Sequence, residues 1–388
     1  GLRFYRWLAL LLAYGLLFTA LRSLAVHWST HGLFSLWFPA AGLRFAFLWW
    51  AGPRMAPAAA LAEGLVSLAL GTVQFGPQPL LTVLGVLGPC LMYGLTIYLV
   101  RARFGPRSNF VGHDPMPFAT AAVLAPMAAC LVALAWALPL AEATGTFNGH
   151  VLFTALLVFT LGDLLGVLLV APPLLWLARW MTHRRPSVRL PRAGRAFEII
   201  VLVALAWVLV WVLEQAGYGA VLAPVLLATG WAGFRGGRTM AWIAILFSAV
   251  LLLPITGGGV SDVERIQLHL LLACLSAGAY LAGSYADAQQ KARRELERRD
   301  RLLFQAERLR TLRAMSVGVI HEASQPLSTI SLEANGLVVA AAADRPDLQD
   351  IRQTAALIAG KAADLAEMVR RLRRFGETGG EERVRLSV

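Results

Sequence analysis

"HLLLACLSAGAYLAGSYADAQQKARRELERRDRLLFQAERLRTLRAM", His269 to Met315, changes character within one helical turn. Up to Tyr285 it is apolar and rich in small residues. From Asp287 it is charged, free of Gly and Pro, and built from strong helix formers. Nothing in the stretch marks a helix end, so one helix is expected to leave an apolar environment and continue into water. Leu296, Leu302, Leu303, Leu309 and Leu312 form an imperfect heptad seam, which suits pairing with a second copy. A solvated helix whose arginines meet anionic lipid is the alternative.

The chain before this stretch agrees with a membrane origin. Of 388 residues, 57% are hydrophobic and 15% charged, with a formal net charge of +12 and a mean hydropathy of +0.62. Soluble domains are about half apolar and about a quarter charged. A spanning helix takes about 20 mostly apolar residues. Ten such runs lie near 4–24, 33–51, 55–73, 79–100, 117–139, 150–178, 196–214, 218–234, 238–256 and 265–283. The first is too long for a signal peptide and precedes no polar mature domain. Gly1 in place of Met, and an ending inside "EERVRLSV", read as a piece of a longer protein. Cys90, Cys130 and Cys274 lie in apolar runs without C-x-x-C spacing, which argues against a disulfide framework or a zinc site.

Every second connection is basic: "GPR" at 52–54, "RARFGPR" at 101–107, "RWMTHRRPSVRLPRAGR" at 179–195 and "FRGGR" at 234–238. The alternate connections "GTVQFGPQP", "AEATGTFNGH", "EQAGYG" and "TGGGVSDVE" carry no Lys or Arg, and the first outer segment has only Arg22. The positive-inside rule then puts the N-terminus, and after ten spans the C-terminus, in the cytoplasm. The basic residues follow the loops rather than one soluble face, so nucleic acid is not the expected partner and the lipid bilayer is.

Beyond "AAADRPDL", Leu348, Ile351, Ala355, Ile358, Ala362, Leu365, Val369 and Leu372 alternate spacings of three and four. That is a helix-bundle seam. Helices near 285–342 and 347–375 should form an antiparallel hairpin. One hairpin cannot cover its own seam, so two should pack as a homodimer. The expected fold is all-α: a polytopic membrane bundle of about ten spans, a coiled-coil linker helix, and a hairpin forming a dimeric four-helix bundle. The expected divisions are 1–284, 285–313, 314–376 and 377–388.

The first helix of that hairpin contains "VGVIHEASQPLSTI", Val317 to Ile330. If Val319, Ala323, Leu327, Ile330 and Leu337 face the core, His321 points to solvent with Glu322 beside it. Pro326 has no N–H, frees the Glu322 carbonyl and bends the helix. The carboxylate can accept a ring proton and leave the other imidazole nitrogen as a nucleophile. An ordinary surface histidine is the competing reading.

"HEASQPLSTI" followed by an apolar helix resembles the H-box of the dimerisation and histidine-phosphotransfer (HisKA) domain of bacterial sensor histidine kinases, in the subgroup with a His-Glu-x-x-Gln-Pro-Leu box. The resemblance covers roughly 310–375. It implies that His321 is the phospho-accepting nucleophile, Glu322 its general base and Pro326 the kink. Gln325 stands where many family members carry Thr or Asn to position a phosphatase water. The resemblance also implies a homodimer, a cognate response regulator, ATP with Mg2+ as phosphoryl donor, and a place in the bacterial inner (plasma) membrane. Kinases of this kind need an Asn box and glycine-rich lid motifs, and "GETGGEERVRLSV" holds neither. An ATP-binding domain is therefore expected outside this sequence, with 377–388 leading to it, and the piece alone should be inactive.

"LWFPAAGLRFAFLWWAG", Leu36 to Gly52, is similar to the membrane-associated sensor (MASE) family, which precedes kinase or cyclic-nucleotide output domains. Arg44 departs from the neutral residue expected there.

Charges at membrane depth are functional candidates. Arg44 and Glu63 lie at similar depths in neighbouring runs, which also suits a structural ion pair. Asp163 lies mid-run without a sequence partner, open to a structural or a proton- or ligand-sensing role. His27, His31, His150 and His269 fall on the outer side with Glu142, and suit either a metal or pH site or scattered interfacial histidines. Pro39, Pro126, Pro172, Pro173 and Pro224 interrupt runs as hinges or as plain kinks. Two other classes stay open: a transporter-like protein with broken helices, and a non-catalytic dimerising scaffold.

Overall fold

The computed structural model describes residues 2–30, 34–71, 79–105, 116–143, 148–182, 193–219, 221–257, 261–342 and 347–378. The chain divides into two compact units, Gly1–Ala292 and Arg293–Val388. The helices of the first are α1 (Leu2–Ala25), α2 (Pro39–Ala51), α3 (Ala56–Ala69), α4 (Pro79–Phe104), α5 (Met116–Ala143), α6 (Gly149–Thr182), α7 (Ala193–Gln215) and α8 (Ala223–Thr256). α9 (Asp262–Ala341) begins in the first unit and ends in the second, which also holds α10 (Leu348–Thr378).

The segments of the first unit are apolar on most faces. Without water, only internal pairing satisfies each backbone N–H and C=O, which leaves helix as the stable state. Their outward side chains are large and apolar, with Leu16 and Leu227 each 75% exposed, as a lipid-facing surface requires. Among the described residues seven helices are long and apolar enough to cross a membrane, so this is a multi-pass membrane protein with an all-α fold.

The structure departs from ten similar spans in two places. Runs 33–51 and 55–73 yield helices of 13 and 14 residues. At 1.5 Å per residue these are about 20 Å long, against a hydrocarbon core of about 30 Å. Residues before α2 are extended instead. Ser29–Thr30 (β1) pairs antiparallel with Phe34–Ser35 (β2), the one small exception to an all-helical reading among the described residues. Leu36 N–H then donates to the Trp28 carbonyl and Phe38 N–H to the Gly162 carbonyl, both at 3.0 Å. Pro39 opens α2, where a missing N–H costs nothing. This close approach depends on glycine in α6: a β-carbon on Gly162 would overlap the Ser35 carbonyl, and one on Gly166 the Phe38 carbonyl.

The second departure is α8, which joins runs 218–234 and 238–256. Gly237 interrupts it with φ 73° and ψ −171°, a conformation open to glycine. A β-carbon on Gly233 would lie 3.4 Å from that of Ala241. Eight residues along a straight helix are about 12 Å apart. The chain therefore turns back at Gly237, and α8 is a helical hairpin that supplies both expected passes. Its neighbour α7 agrees: Glu198 meets Trp231 and Arg235 near the turn, and Trp207 meets Ser248 further along.

Two apolar cores result. One surrounds α2 with α1, α3, α4 and α5, around Phe45, Leu48, Tyr93 and Ile97. The other gathers α6 to α9 around Leu165, Val225, Ile245 and Leu272. α6 serves both, giving Val167 and Ala171 to the first core and Leu165 and Leu169 to the second.

In the second unit, α9 runs through Pro326 without a break. Ala323, Ile330, Ala334 and Leu337 are half-buried on α9, as are Ile351, Thr354, Ile358, Leu365 and Met368 on α10. Spacings of three, four and seven define one covered stripe on each helix. Half of the expected seam stays uncovered: Leu348, Ala355, Ala362 and Val369 are exposed, as is Leu327. A single helix covers only a narrow stripe of its neighbour, which accounts for the part of the seam left exposed.

Candidate functional site

Arg44 sits within α2, where every residue from Pro39 to Trp49 is buried. A guanidinium there must be paired to be tolerated. Its Nε donates to Glu63 Oε1 at 2.9 Å and its Nη2 to Glu63 Oε2 at 2.7 Å, the side-by-side geometry of a strong arginine–carboxylate pair. Neighbouring depth in the sequence had pointed to this pairing. Tyr14 Oη of α1 adds a hydrogen bond to Glu63 Oε1 at 2.5 Å.

Asp163 of α6 has the partners its sequence position did not reveal. Tyr93 Oη of α4 donates to its Oδ2 at 2.8 Å, and Arg44 Nη1 lies 3.6 Å from the same oxygen. The guanidinium carbon stands 5.1 Å from the Tyr93 ring centre and 6.0 Å from that of Phe18, within cation–π range. Arg44, Glu63 and Asp163 are 4%, 2% and 1% exposed. The cluster continues through Ser67, whose hydroxyl donates to the Glu63 carbonyl at 2.8 Å and accepts from half-buried Arg22 at 2.6 Å.

Five helices thus deliver one polar centre into an apolar bundle. Tyr14 and Tyr93 were missed in the sequence, although a lone tyrosine inside a spanning run signals a hydroxyl in need of a partner. The arrangement places one guanidinium between two carboxylates, bonded to one and just out of reach of the other.

Among the described residues the outer histidines form no metal-binding group. His27 and His150 are exposed, and His31 lies outside the described residues. His269 is fully buried, and its Nδ1–H donates to the Arg265 carbonyl at 2.8 Å. Among the described residues no group of three His, Cys, Asp or Glu is placed to hold a metal ion. The side chain of Glu142 lies outside what is described.

Where α9 turns from apolar to charged, α8 clasps it. Asp287 Oδ2 accepts from Arg238 Nε at 2.8 Å and from Arg238 N at 3.3 Å. Gly237 fits because a β-carbon there would overlap the Asp287 carboxylate, and Gly283 lies against the Gly237–Arg238 backbone. The sequence held the signal: Asp287 is the first acid after the last apolar run, and Arg238 closes a basic connection.

On the second unit's stretch of α9, His321, Glu322 and Gln325 are all exposed and Pro326 is half-buried. Hydroxyls line the turns around the proline: Ser324 donates to the Ile320 carbonyl at 2.6 Å, Ser328 to that of Ser324 at 2.8 Å, and Thr329 to that of Gln325 at 3.1 Å. The imidazole and its adjacent carboxylate are open to an approaching partner.

Comparison with curated proteins gives no match, and neither does comparison with solved structures. The family comparison is positive: residues 7–290, the whole helical assembly from α1 to the Asp287 clasp, match the MASE1 model. The chain belongs to the MASE1 family of membrane-associated sensor domains.

Proposed function

We propose that this chain is the sensing and phospho-accepting part of a sensor histidine kinase in a two-component system. It would lie in the bacterial inner (plasma) membrane with both termini cytoplasmic, as the basic connections favour. The observation that carries the reading is an exposed His321 followed by Glu322 and Pro326, on the helix that leaves the membrane-associated sensor domain.

In this reading an unprotonated ring nitrogen of His321 attacks the γ-phosphorus of ATP. The bond to the β-phosphate oxygen breaks, ADP leaves, and the proton on the other ring nitrogen passes to Glu322. The phosphoryl group then moves to an aspartate of a response regulator. In this reading ATP and Mg2+ are bound by a catalytic domain of the full-length protein. The exposed half of the α10 seam, Leu348, Ala355, Ala362 and Val369, supports a homodimer in which the second copy covers it.

The test is His321→Gln in the full-length protein, supplied with ATP and Mg2+. Incorporation of acid-labile, alkali-stable phosphate should disappear. Undiminished incorporation overturns the assignment and leaves the scaffold reading.

A further inference from the structure

We propose that the polar centre of the sensor domain is a proton-binding site, with Asp163 the group that takes the proton. The inference deepens the sensor reading, since it names what the buried centre binds, but it does not depend on kinase activity.

The argument is one of charge and geometry. The Glu63 carboxylate is served by Arg44 through two hydrogen bonds and by Tyr14 through a third, while Ser67, which accepts from Arg22, donates to the Glu63 backbone carbonyl. Asp163 is just as buried but receives one neutral donor, Tyr93, and faces a single cation already engaged elsewhere. The other elements packed against α6 add no charge. Across the described residues of α5 and the lining stretch of α8 its neighbours are apolar side chains, Cys130, whose thiol donates to the Leu156 carbonyl at 3.7 Å, and Trp242, which donates to the Leu169 carbonyl at 3.1 Å. Tyr280 of α9 donates to the Leu168 carbonyl at 3.0 Å. The Cys90 thiol of α4 is turned to the Ala56 carbonyl at 3.7 Å. Arg22 lies on the Glu63 side, beyond Ser67, so within direct reach the two carboxylates share the one guanidinium of Arg44. Asp163 is left without a cation of its own, and burial opposes its charge.

A proton resolves this. It adds to a carboxylate oxygen of Asp163 to give the neutral acid, and no other bond forms or breaks. Arg44 makes both of its hydrogen bonds to Glu63, through Nε and Nη2, while its Nη1 stands 3.6 Å from Asp163 Oδ2, within ion-pair range but longer than a hydrogen bond. When the proton leaves, the new charge draws Arg44 Nη1 toward Asp163. That movement pulls on α2 where Gly42 lies against Gly166, and so on the helix shared by both apolar cores.

Infrared spectroscopy of the 388-residue chain in lipid nanodiscs tests this at about pH 5.5, where solvated carboxyls are largely ionised because they titrate near about 4. The wild type should show a buried protonated carboxyl band that shifts in D2O, weakens at about pH 9 and is absent from Asp163→Asn. Tyr93→Phe keeps the carboxyl and should move the band, which gives a second readout if Asp163→Asn fails to fold. No such band in the wild type overturns the proposal. So does a band that persists in Asp163→Asn or is unmoved in Tyr93→Phe. None of these outcomes bears on phosphate incorporation at His321, so the two proposals fail separately.

Discussion

Arg44 and Glu63 meet through two hydrogen bonds of 2.9 Å and 2.7 Å, formed between two short helices that follow one another in the chain across Gly52. Breaking a buried pair from one side strands the other charge, at a cost of about 3–5 kcal/mol. Glu63→Gln and Arg44→Gln should therefore each lower the thermal midpoint of the purified chain sharply. The double variant Arg44→Gln/Glu63→Gln should lose less than the two single losses added together, measured by thermal unfolding in nanodiscs. Additive losses would show that the two side chains act independently.

Backbone contact between the extended residues 34–38 and α6 leaves no room for a side chain at two positions. Gly162→Ala and Gly166→Ala should each destabilise the sensor domain, because the added β-carbon meets a carbonyl rather than a movable side chain. Gly149→Ala and Gly194→Ala, whose β-carbons would meet nothing within 4 Å, serve as controls that leave the midpoint in place. Protease resistance reports the same contrast.

The Arg238–Asp287 clasp predicts a different split. Its side chains are 20% and 37% exposed, so the pair is worth at most about 1 kcal/mol to folding. Asp287→Asn should leave the thermal midpoint nearly unchanged while altering phosphate incorporation by the full-length protein about fivefold or more, a typical size for coupling between sites. Equal loss of stability and activity would reduce the clasp to a structural contact.

Uncovered positions of α10 predict the oligomer. Val369→Asp and Ala355→Asp place charge on the exposed half of the seam, away from the stripe covered within one chain. Analytical ultracentrifugation should show dissociation to monomer with helix content retained. A dimer that survives both changes would put the contact elsewhere.

Hydrophobic runs and the basic loops made the multi-pass helical fold legible in the sequence. The Arg44–Glu63 pair followed from depth alone, because neighbouring antiparallel segments bring equal depths together. What stayed hidden depended on glycine. The run 33–51 is apolar enough to be a full span, yet Pro39 and the Gly162–Gly166 surface favour an extended lead-in, and periodicity does not register that. Tyr93 and Asp163 are 70 residues apart on helices of different hairpins, so their contact is a property of packing rather than of either segment. The uncovered half of the α10 seam shows the reverse case. There the sequence pattern is wider than the stripe that one helix of the hairpin covers.

In the proposed reading α9 carries the state of the sensor domain to His321. Inserting residues between Ala292 and Met315 tests it most directly, with autophosphorylation of the full-length protein as the readout. At about 100° per residue, seven inserted residues nearly restore the facing of His321, whereas two rotate it by about 200°. The seven-residue insertion should keep phosphate incorporation near the wild-type level, and the two-residue insertion should lock it high or low. Equal activity for both, or a loss that grows only with the length inserted, would contradict it.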